Sequence, residues 1–292
     1  MTSTPPKAAI GIIGGSGLYQ MDALKNIEEY SLETPYGTPS EVLVSGTIDD
    51  IAVVFLARHG RGHRLIPSEV PYRANIYALK MCGVKYLLSI SAVGSLQEEL
   101  APRDMVIPDQ FIDLTKSRQS TFFGQGAVAH VSMAEPVCPT LAEVLAEAVA
   151  ALPAEQAVTC HRGGSYVCIE GPQFSSLAES HWYRSMGASV IGMTNMPEAK
   201  LALEAQIAYA SLAMVTDYDC WHPKEDNVSA DMALANLFEN AGKAQKIVAE
   251  VVQRLGSQMP VSAAHQALTK ALVTPFEQMS EATRARLQLL AT

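Results

Sequence analysis

Short apolar runs alternate along this chain with stretches of helical period. Ala8 to Leu18 reads as a strand entering a glycine-rich turn, Gly14-Gly-Ser-Gly17. Ile51 to Ala57 has the pattern of a strand buried on both faces, and Lys85 to Ser95 predicts another that ends in small and hydroxylated residues. Asp104 to Asp113 predicts a strand interrupted by Pro108, and Gly164 to Glu170 and Ala188 to Thr194 predict two more. Helical spacing is found within residues 67–83 and over Pro139–Leu152, Leu177–Met186 and the Ala-rich Glu198–Ala210, which Asn195 is placed to cap. That last helix feeds the apolar run Leu212–Val215, which ends in Asp217 and Asp219. Ser229 can cap a long amphipathic helix reaching Leu255, and a final helix is expected near Glu277–Leu290. Residues 28–37 read as turn-rich, and 116–133, polar with Gly124 and Gly126, as a long loop. Helices feeding strands throughout predict an α/β fold, and no linker or repeat divides the 292 residues. One domain is therefore expected over 1–292, with a loose leader at 1–7 and closing helices over 229–292.

In such folds ligands bind beyond the C-terminal ends of the strands, so the clusters found there carry the functional reading. Gly14 to Gly17 does not match a dinucleotide fingerprint; with the Ser16 hydroxyl it suits a small anion or an ordinary tight turn equally. Arg58-His-Gly-Arg-Gly-His-Arg64 follows its strand directly, and a basic cluster with two glycines there favours an oxyanion site over a solvated face. Ser91-Ala92 and Thr194 offer further hydroxyl and amide donors, whereas Phe174-Ser175 offers stacking and a hydrogen bond to a flat heterocycle. In extended geometry Asp217 and Asp219 share one face. They can bind a metal, perform acid–base work or accept from the N–H donors of a ligand.

Composition narrows these choices. With 21 basic against 30 acidic residues the net charge is −9, which argues against a nucleic-acid surface and leaves any anion to a local site. No apolar run reaches the length of a membrane span, and the N-terminus lacks the plan of a secretion signal, so a cytoplasmic protein is expected. The cysteines at 82, 138, 160, 168 and 220 form no C-x-x-C pair and read as inert thiols. No third ligand cluster accompanies the two acids, which disfavours a metal-dependent sugar-nucleotide transferase. Phosphate donors, a purine platform and a sugar's space between them point to a nucleoside-handling enzyme that uses free phosphate, in preference to a non-catalytic nucleoside binder.

Asp-Tyr-Asp-Cys-Trp at 217–221, Glu-Gly-Pro-x-Phe-Ser-Ser at 170–176 and segments 10–18, 56–75, 91–96, 109–115, 133–136 and 192–198 are, in this order and spacing, similar to the trimeric purine nucleoside phosphorylases. The resemblance spans most of residues 10–260. It implies a single three-layer α/β/α domain with a mixed central sheet, no metal or organic cofactor, inorganic phosphate as co-substrate, and a homotrimer or dimer of trimers. It further implies phosphate binding by Ser16, Arg58, His59, Ser91, Ala92 and Thr194. Met193 would lie along the ribose, Phe174 and Ser175 in the purine pocket, and His130 across a subunit boundary. Asp217 and Asp219 would be the catalytic acids, at N7 and at the 6-amino group respectively. Ala230 and Ala233 stand where relatives carry valines around a 5′-methylthio group, so a roomier pocket is expected. A 6-oxopurine enzyme of the same family, or one for methylthioinosine, is the rival; such enzymes typically place an Asn where Asp217 stands, and an ionised Asp facing O6 would repel it.

Overall fold

The computed structural model describes residues 4–15, 18, 21–225 and 228–292, and of 230, 232–234 and 237–240 the backbone alone. The chain runs through β1 (Ile10–Gly14), β2 (Lys25–Tyr30), β3 (Leu43–Ile48), β4 (Ile51–Ala57), α1 (Tyr72–Met81) and β5 (Tyr86–Ser95). There follow β6 (Met105–Ile107), β7 (Gln110–Asp113), α2 (Pro139–Ala150), β8 (Cys160–Arg162), β9 (Ser165–Cys168) and α3 (Leu177–Ser185). The last elements are β10 (Val190–Gly192), α4 (Asn195–Glu204), β11 (Ala208–Asp217), α5 (Ala230–Ser257) and α6 (Glu281–Leu287).

All strands join one mixed sheet, and β5 is its fork. Along one edge β5 pairs in parallel with β11, from Ala208 opposite Tyr86 to Asp217 opposite Gly94. Along the other it pairs in parallel with β1 only as far as Ser89, and β10 takes up that edge, antiparallel, at Gly94 and Ser95. Ile90 to Val93 are left between two diverging neighbours, which opens a gap in the middle of the sheet. From β10 the sheet continues in parallel through β9 to β7. Beyond β1 it continues through β4 to the antiparallel β3 and β2.

Period-two alternation distributes the core between the faces. Tyr209, Ala213 and Val215 of β11 join one cluster with α1, α4 and α6, while Ala208, Ala210, Leu212 and Met214 join the other with α2 and α5. Every residue of β11 is buried, as a central strand covered on both sides requires. In α5 the buried Ala244, Ile247, Val248, Val251, Val252 and Leu255 recur at three and four residues, and this stripe fixes its seat on the sheet. The layered α/β/α fold implied by the resemblance is thus observed.

Several expectations are corrected locally. Residues 25–30 form strand β2, not only turns, held through Lys25–Tyr30 pairing with β3; its exposed edge position hides it from apolar patterning. Pro108 divides its predicted strand into β6 and β7, which pair with different partners, β11 and β9. The Ala-rich helix ends at Glu204 and the strand begins at Ala208, because small apolar residues suit either element and the parallel ladder with β5 claims them. Asn195 does not cap: its Nδ2 donates to the Ser211 hydroxyl at 2.6 Å, and regular helix begins beyond Met196 and Pro197, whose backbone is non-helical. The C-terminal segment packs on its own chain. Ala129 bridges Leu272, Thr283 donates to the Gln125 carbonyl, and Leu268, Leu287 and Leu290 enter the core.

One contact in the sheet allows a direct test. A Cβ on Gly192 would stand 1.9 Å from the buried Tyr166 hydroxyl. Gly192→Ala should lower unfolding free energy by about 1–3 kcal/mol. Tyr166→Phe in the same chain should recover part of that loss, a coupling that chemical denaturation of the double-mutant cycle measures.

Candidate active site

The gap in the sheet is a partly open cavity. Ala92, Val93 and Gly94 of β5, Ile191 and Gly192 of β10 with Met193 beyond it, and Thr216 and Asp217 of β11 line it, together with Ile169, Phe174, Ser175, Asp219 and Val228. Six residues singled out from sequence therefore meet in one space: Ala92, Phe174, Ser175, Met193, Asp217 and Asp219. Ser91 and Thr194 adjoin its walls, both buried, and no group among the described residues satisfies the Ser91 hydroxyl.

The two acids meet through a turn rather than through strand alternation. The ladder slips between Val215 and Asp217, and Asp219 takes a left-handed φ of 54°, which Asp tolerates better than most residues. This folds the Asp219 backbone N–H onto Asp217 Oδ1 at 2.8 Å, while the Thr216 hydroxyl lies 2.6 Å from Asp217 Oδ2. Gly94 is required beside them: a Cβ there would reach Asp217 Oδ1 at 2.9 Å. Burial is the largest influence on Asp217 and lifts its pKa to about 6; the Asp219 charge adds to it, and the Thr216 and Asp219 hydrogen bonds oppose it. Asp219 is raised as well, again chiefly by burial.

Beside the cavity the anion-suited residues form a second group. Arg58 ends β4 with its side chain 3% exposed and makes a bidentate pair with Glu198 of α4, Nε to Oε2 at 2.7 Å and Nη2 to Oε1 at 3.0 Å. Nη2 also donates to the Ser89 hydroxyl and Nη1 to the Ile90 carbonyl, so of the five guanidinium N–H groups one on Nη1 has no acceptor among the described residues. Burial works against the Arg58 charge, but Glu198 outweighs it and holds the pKa above its ordinary value. His59 Nδ1 donates to the Leu65 carbonyl at 2.9 Å, which leaves Nε2 as a lone pair in the neutral ring. Burial first and then Arg58 push His59 down to about 4.

Ser16 lies outside the described residues, as do the side chains of Ala230 and Ala233. His130 is exposed on a segment whose backbone pairs with the C-terminal residues, its N–H donating to the Ala271 carbonyl. Among the described residues no group of three or more His, Cys, Asp or Glu is placed to hold a metal ion. Sequence reading passed over Thr216, Gly94 and Glu198. Only Glu198 left a trace, as an acid on the same helical face as Leu201 and Ala202.

Comparison with known proteins adds to this geometry. Residues 9–253 match the model of the Phosphorylase superfamily. A protein of Thermosynechococcus vestitus named S-methyl-5′-thioadenosine phosphorylase is 60% identical over 97% of this chain and 98% of its own. One of the same name from Synechocystis is 57% identical over 99% of this chain and 88% of its own. The crystal structure of a methylthioadenosine phosphorylase from an antarctic soil metagenomic library superposes with a TM-score of 0.94 at 62% identity, covering 98% and 99% of the two chains. The Schistosoma mansoni methylthioadenosine phosphorylase in complex with adenine superposes with a TM-score of 0.79 at 39% identity, covering 85% and 92%.

The raised Asp217 pKa has a consequence for stability. The native chain binds this proton more tightly than the unfolded chain, whose Asp titrates near 3.8. The contribution to folding is complete below that pH and lost as pH rises through about 6. At pH 8 the native state holds a buried carboxylate, at a cost of up to about 3 kcal/mol. Asp217→Asn should therefore stabilise the protein by about 1–3 kcal/mol at pH 8 and by less at pH 5, measured by urea unfolding at both.

Proposed function

The chain belongs to the phosphorylase superfamily, and we propose that it cleaves S-methyl-5′-thioadenosine with inorganic phosphate, giving adenine and 5-methylthioribose 1-phosphate. The observation that carries this reading is the pair of buried acids facing a cavity floored by Met193 and closed by Phe174 and Ser175.

Cleavage of the N-glycosidic bond builds cationic character at C1′ and negative charge on the departing purine. N7 of the substrate is unprotonated, so Asp217 supplies the proton or a strong hydrogen bond, which its pKa near 6 permits close to neutral pH. A purine covering it removes more water and raises the value further. Asp219 accepts from the 6-amino group, a donor that 6-oxopurines lack. Phe174 packs against the ring, and the buried Ser175 hydroxyl stands beside Asp219, within reach of the same base.

Phosphate takes the neighbouring ground between Ser91, Ala92, Thr194 and the remaining Arg58 N–H, beneath C1′. Because Glu198 neutralises Arg58, the anion is held by hydroxyl and amide dipoles more than by net charge. His59 Nε2, a bare lone pair, accepts a hydrogen bond from the hydroxyl of HPO₄²⁻ and, with its pKa lowered to about 4, stays neutral while doing so. No resident metal or organic cofactor enters this scheme.

The protein acts as a homotrimer or a dimer of trimers in this reading. His130 stands exposed outside its own cavity, where a neighbouring copy can use it. Phe174, Leu177 and Trp182, 45%, 53% and 53% exposed, make an apolar rim suited to such contact. Among the described residues no helix is long and apolar enough to cross a membrane, which suits the cytoplasmic location proposed.

Adenine release from methylthioadenosine should require phosphate and yield the sugar 1-phosphate; equal release in phosphate-free buffer would make the enzyme a hydrolase. Asp217→Asn should reduce turnover by about 10²–10⁴-fold, and wild-type turnover in that variant would remove Asp217 from the mechanism. Inosine and methylthioinosine, assayed alongside, should react far more slowly.

A further inference from the structure

Arg118 lies in the long loop after β7, carries no expected role, and is buried to 1% exposure of its side chain. Its five N–H groups match five acceptors. Nη1 donates to the Met193 and Met196 carbonyls, both at 2.6 Å, and Nη2 to those of Glu170 at 2.7 Å and Ile169 at 3.3 Å. Nε faces Glu170 Oε1 at 3.4 Å, and Glu170 in turn accepts from Ser68 and from the Lys116 and Ser117 amides. The Tyr72 hydroxyl, 3.1 Å from Nη1, closes the remaining side.

These four carbonyls belong to two chain segments. Ile169 and Glu170 leave β9 towards the Phe174–Ser175 turn; Met193 and Met196 leave β10 towards Thr194 and Glu198. β9 and β10 pair as far as Cys168 and Gly192, and the Ile169 N–H adds one bond to the Gly192 carbonyl; past that point no strand pairing holds the segments together. Arg118 gathers the carbonyls that the sheet releases. We propose that Arg118 is a positioning residue that sets the width of the nucleoside cavity, clamping the wall bearing Ile169, Phe174 and Ser175 to the wall bearing Met193 and Thr194. The proposal rests on the nucleoside reading of that cavity.

A lysine cannot reproduce the clamp, since an ammonium has three donors from one point while the four carbonyls need a planar fork. Among the described residues Glu170, Tyr72 and Cys168 make the side-chain contacts to the guanidinium, and none of them is a cation. The clamp does not touch the reacting atoms, so its loss should widen the cavity before it alters the chemistry.

The test compares wild type, Arg118→Lys and Arg118→Ala, each with and without millimolar guanidinium chloride, against urea and sodium chloride at matched concentration. Expected is a KM for methylthioadenosine raised by about 10–100-fold in Arg118→Ala, with kcat changed far less, and Arg118→Lys between the two. Adenine affinity, measured by calorimetry without any turnover, should weaken in parallel. Guanidinium should restore KM and adenine affinity to Arg118→Ala alone, whereas a variant that is only poorly folded would lose more activity in a denaturant. Unchanged KM and adenine affinity in Arg118→Ala, or a loss that guanidinium deepens, overturns the proposal. A wild type that binds adenine but releases none from methylthioadenosine with phosphate overturns the phosphorylase reading, while the adenine affinities still judge Arg118.

Discussion

The buried pairing of Arg58 with Glu198 is the constraint on which the site depends. It joins the end of β4 to α4, and through the Ser89 hydroxyl, the Ile90 carbonyl and the Tyr209 hydroxyl it reaches β5 and β11 as well. Two ions taken from water are tolerated when their remaining lone pairs and protons are satisfied, and this pair meets that condition but for one Arg58 Nη1 N–H, which has no partner among the described residues. Glu198 accepts from Arg58, Ser89 and Tyr209. Losing either partner would strand a charge in the core, a defect that typically costs about 3–5 kcal/mol. The pair also shapes the electrostatics beside it. An unneutralised arginine would hold phosphate tightly in the ground state; a neutralised one leaves a field made of fixed dipoles and one N–H. In the proposed reaction that suits a phosphate which must remain free to attack.

The fork in β5 explains why the cavity is where it is. A parallel strand with helices on both faces is normally paired along both edges. Here β1 departs after Ser89 and β10 arrives only at Gly94, so four residues of a central strand face a gap instead of a ladder. Ligands collect at such points in α/β sheets because backbone donors and strand-end side chains converge there. Gly94 and Gly192 both lie at this junction, and each is small because a buried neighbour, Asp217 or Tyr166, occupies the volume a Cβ would need.

Much of this was legible in the chain. Strands β4, β5 and β11 announce themselves as apolar runs, and helices α1, α2, α3 and α5 by period. Of the clusters at strand ends, Ala92, Phe174-Ser175 and Asp217 with Asp219 line one cavity, and Arg58-His59 forms a separate group beside it. Less legible was whatever depends on partners distant in sequence. β2 is an exposed edge strand defined by its pairing with β3, and the boundary between α4 and β11 is drawn by β5. Arg58 looks from sequence like a free fork for an anion; its commitment to Glu198, 140 residues away, has no local signature. Arg118 sits in a polar loop among other polar residues, and only the convergence of four carbonyls distinguishes it.

The same limit applies to Asp217 and Asp219, whose cooperation has a different origin from the one their spacing implies. Strand alternation would set two equivalent carboxylates side by side, repelling each other equally. The left-handed turn at Asp219 breaks that symmetry, because the Asp219 N–H binds an Asp217 oxygen, whereas the Asp219 carboxyl is met by the Cys220 backbone and by Ser175 and Ser180. Asp217 is thereby fixed in orientation at the end of a fully buried strand, where desolvation is the dominant influence on its proton. A carboxyl so placed is costly to the fold when ionised and useful to catalysis when protonated, and both follow from the same lack of water. The turn that aims the acid and the burial that keeps its proton are therefore separate devices, one written in the 217–221 segment and the other in the packing of β5, β10 and β11 around it.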